Sequence, residues 1–131
     1  MWREYTAIGV GGALGSMLRF AASNYVAQRH GDAFPLGTLL VNVTGCFLIG
    51  FLAAVADAEG RLLLNPFWRQ FLMVGMLGGY TTFSSFSLQT LNLARSGAWF
   101  QAGLNAALSL ILCLLAVWVG HVGALFVSRG R

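Results

Sequence analysis

The sequence reads Gly78-Gly79-Tyr80-Thr81-Thr82-Phe83-Ser84-Ser85-Phe86-Ser87 in the middle of its third apolar run, residues 70–94. That run carries no Asp, Glu, Lys or Arg, and it exceeds the roughly 20 residues that a helix needs to cross a bilayer. Paired glycines followed by hydroxyl side chains make a poor continuous helix. A membrane tolerates a break only where the freed backbone groups are buried in protein, face water or bind an ion. We therefore predict a membrane helix broken near the bilayer midplane.

The rest of the chain is equally apolar. Of its 131 residues, 57% are hydrophobic and 9% are charged, with a mean hydropathy of +0.72. Three further apolar runs cover residues 5–27, interrupted once by Arg19, residues 36–56 and residues 101–127. None shows the period-two alternation of barrel strands. The sequence thus predicts an all-α membrane protein, with residues 1–131 forming a single domain of four transmembrane helices.

The basic residues bear on topology. All eight are arginines, scattered singly rather than clustered as in a nucleic-acid-binding patch. Four spans place both termini on one side, together with Arg3, Arg61, Arg69, Arg129 and Arg131, and leave Arg19, Arg29 and Arg95 opposite. An excess of two arginines is a weak orientation signal. Two topologies therefore remain open on charge alone. The chain inserts in both orientations and forms an antiparallel dimer, or it inserts in one orientation with the termini inside.

The polar side chains within the runs are uncharged hydrogen-bond donors. They are Thr38, Asn42, Thr44, Thr81, Thr82, Ser84, Ser85, Ser87, Gln89, Asn105 and Ser109. An anion path needs donors, whereas a cation path needs carboxylates or carbonyls. About half of the serines and threonines are expected to bond their own i−4 carbonyl instead. Asn42 is the strongest candidate for a functional role, because an amide has four hydrogen-bonding sites to satisfy in hydrocarbon.

Three other features have both a functional and a structural interpretation. Phe83 and Phe86 are three residues apart, so they either pack conventionally or offer the positive edges of their rings to an anion. Arg19 either gathers anions in a vestibule or extends its side chain to the lipid headgroups. Gly11 and Gly15, four residues apart, predict close contact between helix backbones.

Three motifs resemble the Fluc (CrcB) family of fluoride channels across nearly the whole chain. The first is Gly11-Gly12-Ala13-Leu14-Gly15-Ser16-Met17-Leu18-Arg19, and the second is Pro35-Leu36-Gly37-Thr38-Leu39-Leu40-Val41-Asn42-Val43-Thr44-Gly45. The third is Gly78-Gly79-Tyr80-Thr81-Thr82-Phe83-Ser84-Ser85-Phe86. Gly-Thr-Leu-x-x-Asn and Thr-Thr-Phe-Ser-x-Phe at this separation are specific in combination.

The resemblance implies an antiparallel, dual-topology homodimer in a bacterial inner membrane, crossed several times by each chain. It implies two fluoride pores and a structural sodium ion at the dimer centre, held by the backbone carbonyls of Gly78 and Thr81. The pore residues that it implies are Phe83, Phe86, Asn42, Ser109, Ser84 and Thr82, with Arg19 in the vestibule. Two positions depart from the family pattern: Ser85 stands where Thr is frequent, and Gln89 where Glu is common.

The function implied is passive export, because fluoride enters cells as neutral hydrogen fluoride, dissociates in the cytoplasm and can leave down the membrane potential. The main rival is a small proton-coupled multidrug-type exporter, which needs a carboxylate within the membrane. Glu4, Asp32, Asp57 and Glu59 all lie at span ends or in connections. A second rival is a non-transporting assembly subunit. An enzyme is disfavoured, because the sequence shows no nucleophile, acid–base pair or cofactor motif.

Overall fold

The computed structural model describes residues 1–59 and 65–129, and over these residues every regular element is a helix. The described residues include the first two helices, α1 (Trp2–His30) and α2 (Leu36–Glu59). Helix α1 ends at Gly31, whose φ of 80° suits glycine. Two arginines of the topology argument, Arg61 and Arg131, and residues 60–64 of the predicted connection after α2 lie outside the described residues.

The third predicted span consists of two helices. Helix α3 covers residues 66–80 and begins at Asn65, whose side chain accepts a hydrogen bond from the Phe67 N–H. Within it, Gln70–Leu77 is wound as a π-helix between α-helical turns. Helix α4 (Phe83–Arg95) follows two extended residues, and α5 (Trp99–Arg129), the last helix of the described residues, begins after a turn at Gly97. The predicted break is therefore present.

Length and hydropathy single out two helices as membrane spans within the described part of the chain. Residues Leu36–Ala56 of α2 have a mean hydropathy of 2.3, and Trp99–Val127 of α5 reach 2.5. Helix α1, which contains Arg19, and the separate helices α3 and α4 do not meet the same criterion. Crossing of the bilayer by α1 and by the α3–α4 pair stays a prediction.

Glycines set the closest helix contacts, as the small-residue spacing predicted. A Cβ on Gly15 would meet the Met76 carbonyl oxygen of α3, and one on Gly11 would lie 2.5 Å from the Phe71 oxygen. Between α2 and α5, a Cβ on Gly50 would meet the Val117 oxygen. Glycine is thus needed at these positions because backbone packs directly on backbone. The resulting α1–α3 and α2–α5 pairs are the main contacts of the fold.

The surface of the described chain is unusually apolar, while some polar side chains are buried beside the apolar core. The side chains of Thr38, Thr82, Asn105 and Ser109 are all buried, whereas large apolar side chains cover the outside of the helices. Examples are Phe126, at 71% exposed, and Trp118, at 63%. Such a surface suits contact with lipid or with another protein chain.

Candidate functional site

The break between α3 and α4 is held open by Asn42 of α2. Thr81 and Thr82 have extended backbone, with ψ of 155° and 115°. The Thr82 N–H donates to Asn42 Oδ1 at 2.8 Å, and Asn42 Nδ2 donates to the Thr82 carbonyl at 3.0 Å. A single amide therefore satisfies both backbone groups of the residue at which the helix is interrupted.

The two hydrogen bonds between Asn42 and Thr82, called the clamp below, leave the Gly78 carbonyl at the end of α3 without its usual helical donor. In a continuous α-helix the Thr82 N–H would donate to the Gly78 carbonyl, but here it donates to Asn42. The Thr81 N–H and hydroxyl both donate to the Leu77 carbonyl at 3.0 Å. The Gly78 and Thr81 carbonyls, which the resemblance assigned to sodium, thus flank the irregular turn. Carbonyls of unwound membrane helices are a recurring type of sodium ligand.

Thr82 also starts α4. Its Oγ1 accepts a hydrogen bond from the Ser85 N–H at 3.2 Å, which is the usual bond of a helix N-cap. The Thr82 hydroxyl donates to Ser85 Oγ at 3.1 Å and lies 3.3 Å from Ser84 Oγ. Three of the predicted pore residues, Asn42, Thr82 and Ser84, therefore meet in one hydrogen-bonded cluster at the break.

The two phenylalanines form a ring pair directly after the break. The centroids of Phe83 and Phe86 are 5.2 Å apart, and their planes are inclined by 53°. The Phe83 ring is 79% exposed within the single chain. A large ring this exposed, beside a polar cluster, is available to line a path or to meet a second chain.

Ser109 lies on α5, apart from the cluster at the break. It is 8% exposed, and its Oγ has no hydrogen-bond partner among the described residues. One turn earlier, Asn105 is 1% exposed and its Nδ2 donates to Thr90 Oγ1 at 2.9 Å. The Thr90 hydroxyl in turn donates to the Phe86 carbonyl at 2.8 Å. This relay links α5 to the backbone of a predicted pore residue.

Thr90 was missed by the sequence reasoning. Its only sequence signal is its spacing of four from Phe86, which any serine or threonine in a helix can show. Among the predicted donors, Thr44, Thr81 and Ser87 do bond their own i−4 carbonyls. These three of the eight predicted serine and threonine hydroxyls are thus partly occupied within their own helices, fewer than the half that was expected.

Arg19 lines an open cavity of about 770 Å³. The cavity runs from the connection after α1 down to Thr82 and Ser85 at the break, and Gln89 also lies on it. Arg19 is the only basic and Asp32 the only acidic side chain among the lining residues that the structure describes. Phe83, Phe86, Asn42, Ser109 and Ser84 are not part of this lining. The predicted vestibule and pore residues therefore meet at Thr82.

The acidic residues lie outside the hydrogen-bonded cluster at the break, although Asp32 lines the cavity. Glu4 lies in the first turn of α1, and Asp32 in the connection before α2. Asp57 and Glu59 belong to the last turn of α2, far along the chain from Asn42. Within residues 1–59 and 65–129, no group of three or more His, Cys, Asp or Glu side chains could hold a metal ion.

Comparisons with known proteins find relatives over nearly the whole chain. Residues 6–121 match the family described as "CrcB-like protein, Camphor Resistance (CrcB)". A "Fluoride-specific ion channel FluC" of Opitutus terrae is 59% identical over 120 residues, covering 92% of this chain and 91% of the relative. Proteins of the same description from Methylocella silvestris and Rhodospirillum rubrum are 52% and 49% identical over 126 residues, each covering 96% of this chain and, respectively, 96% and 98% of the relative. The chain belongs to the CrcB family.

Proposed function

We propose that this chain is a fluoride-selective channel that exports cytoplasmic fluoride passively. The observation that carries the proposal is the break at Thr82, where Asn42, hydroxyl groups and a phenyl pair meet with no carboxylate among the described residues around them. The similarity to proteins described as fluoride-specific channels supports it. A proton-coupled exporter is not favoured, because it would need an acid in this region.

Selectivity would come from replacing the tight hydration shell of fluoride by closely spaced donors. Asn42 uses one of its two N–H groups on the Thr82 carbonyl, which leaves the other for an ion. The Ser109 hydroxyl, buried and without a partner in the described chain, is a second such donor. The edges of Phe83 and Phe86 would add positive electrostatic potential. A path lined by neutral donors binds an anion without holding it too tightly to conduct.

The channel is proposed to be an antiparallel, dual-topology homodimer with two pores, crossing a bacterial inner membrane through α1, α2, the α3–α4 pair and α5. The exposed Phe83 ring supports the dimer, because a second chain would cover it. A sodium ion at the dimer centre is proposed from the family resemblance and from the position of two carbonyls beside the break. The Gly78 and Thr81 carbonyls of two chains would hold it, and the ion would fix the two breaks against each other.

A proteoliposome experiment tests the function. Purified protein is reconstituted into vesicles loaded with potassium fluoride, and efflux is followed with a fluoride electrode after valinomycin is added. A channel releases fluoride without a pH gradient and leaves chloride inside in a parallel chloride measurement. Fluoride release that needs a pH gradient would favour an exporter, and inert vesicles would favour an assembly subunit.

A further inference from the structure

A notch on the outer surface, remote from the break, lies between α1 and α3. Its volume is about 260 Å³. The lining consists of Thr6, Ala7 and Val10 from α1 and of Phe67, Trp68 and Phe71 from α3. Apart from one hydroxyl and one indole N–H, these side chains are apolar, so the notch suits a hydrocarbon chain.

The α3 side of the notch is an aromatic wall. The Trp68 ring makes edge contacts with Phe67 and Phe71, at centroid distances of 5.5 and 5.9 Å and angles of 88° and 86°. Trp68 is 48% exposed. Trp2 and Tyr5, with centroids 6.4 Å apart, lie at the same end of α1. Tryptophan and tyrosine concentrate where lipid headgroups meet acyl chains.

Two exposed arginines adjoin the lining residues of the notch along the chain. The Thr6 hydroxyl donates to the Arg3 carbonyl at 2.9 Å, which places Arg3 one turn beyond the notch. Arg69 follows Trp68, and both arginines are exposed. Helices α1 and α3 run parallel here, because Gly11 lies against Gly75 and Gly15 against the Tyr80 N–H. Both positive helix N-termini therefore lie at this end, and Glu4 is the one carboxylate in the first turn of α1.

We propose that this notch binds an anionic phospholipid, with an acyl chain against Trp68 and Phe71 and the phosphate between Arg3 and Arg69. The apolar lining alone would accept any lipid chain. The two arginines supply the charge complementarity that selects the headgroup, as basic clusters between membrane helices do for anionic lipids. The proposal does not depend on which ion the protein conducts.

Quenching of tryptophan fluorescence tests the proposal. Trp68 is left as the single tryptophan by Trp2→Phe, Trp99→Phe and Trp118→Phe. The protein is reconstituted into phosphatidylcholine vesicles with a fixed fraction of lipid brominated on its upper acyl chain, either phosphatidylglycerol or phosphatidylcholine. Brominated phosphatidylglycerol should quench Trp68 more strongly, with a relative binding constant several times that of phosphatidylcholine. Arg3→Gln or Arg69→Gln should each lower this preference by up to about fivefold, the equivalent of roughly 1 kcal/mol per arginine.

Arg29→Gln is the matched control, because Arg29 lies at the opposite end of α1 and should leave the preference unchanged. Equal quenching by both lipids would overturn the proposal, as would a preference that survives the double variant Arg3→Gln/Arg69→Gln. Absence of quenching by either lipid would show that protein rather than lipid covers the notch, and would overturn it too.

Discussion

Asn42 and Thr82, forty residues apart in sequence, are joined by two hydrogen bonds that replace the helical bonding of Thr82. Asn42→Leu keeps the side-chain bulk but leaves the Thr82 N–H and carbonyl without partners. We expect the free energy of unfolding in detergent to fall by roughly 2–6 kcal/mol, since each of the two orphaned groups costs about 1–3 kcal/mol. Fluoride efflux should be lost. Ser87→Ala is the control, because its hydroxyl bonds only its own helix, at the Phe83 carbonyl. Wild-type stability of Asn42→Leu would contradict the clamp.

Phe83→Ile and Phe86→Ile test the proposed pore. Each replaces a ring edge by an aliphatic group that cannot solvate an anion, so each should abolish fluoride efflux while gel filtration still shows the wild-type oligomer. Phe126→Ile, which changes an exposed ring near the end of α5, should conduct normally. Full flux through both ring variants would refute a pore role for this pair.

The relay from Asn105 through Thr90 to the Phe86 carbonyl predicts a difference between two conservative substitutions. Thr90→Val removes the hydroxyl and leaves the buried Asn105 Nδ2 without its partner, which should cost about 1–3 kcal/mol of stability and reduce fluoride flux. Thr90→Ser keeps the hydroxyl, so its stability and its fluoride flux should be close to those of the wild type. Thermal unfolding in detergent and electrode-measured flux are compared for the pair, and equal behaviour of the two variants would exclude the relay.

The contact between α2 and α5 should tolerate no side chain at Gly50. Gly50→Ala places a methyl group against the Val117 carbonyl, and overpacking of this kind costs about 1–3 kcal/mol. Gly103→Ala, on α5 with open space around its Cβ position, is the matched control. It should be neutral or stabilising by about 0.5–1 kcal/mol, because alanine favours the helix. In detergent, the melting temperature of Gly50→Ala should fall below that of the wild type, whereas that of Gly103→Ala should stay equal or rise. Equal melting temperatures for the two variants would contradict the prediction.

Dual topology has a direct readout in cysteine accessibility. With Cys46 and Cys113 replaced by Ser, Ser96→Cys introduces a single thiol at the exposed turn between α4 and α5. In intact cells an impermeant maleimide should label about half of the protein, and the rest should react only after permeabilisation. Labelling that is complete or absent before permeabilisation would indicate one orientation.

The break lies within residues 78–87, where it was predicted, but the sequence did not indicate the residue of α2 that fixes its position. Gly78 and Gly79, the paired glycines of that stretch, are helical, and the extended residues are the threonines that follow, Thr81 and Thr82. Glycine permits a break without requiring one, whereas the competing bonds from Asn42 fix its position. A partner forty residues away leaves no local pattern. The π-helical turn at Gln70–Leu77 was not predicted either, because it contains no residue type that distinguishes it from an α-helix.

Other features followed from pattern alone. The spacing of Gly11 and Gly15 predicted a close helix contact, which the structure places against α3. The helices are longer than the apolar runs, since α1 starts at Trp2 rather than Tyr5 and α5 ends at Arg129 rather than Val127. An apolar run ends at the first polar residues, but the helix continues for as long as its backbone hydrogen bonds are formed.

The break has one further electrostatic consequence. Helix α3 ends at Tyr80 with the partial negative charge of its terminal carbonyls, and α4 begins at Phe83 with the partial positive charge of its first N–H groups. One interruption thus sets two opposite helix dipole ends side by side. Neither end titrates, so these two opposite partial charges are independent of pH.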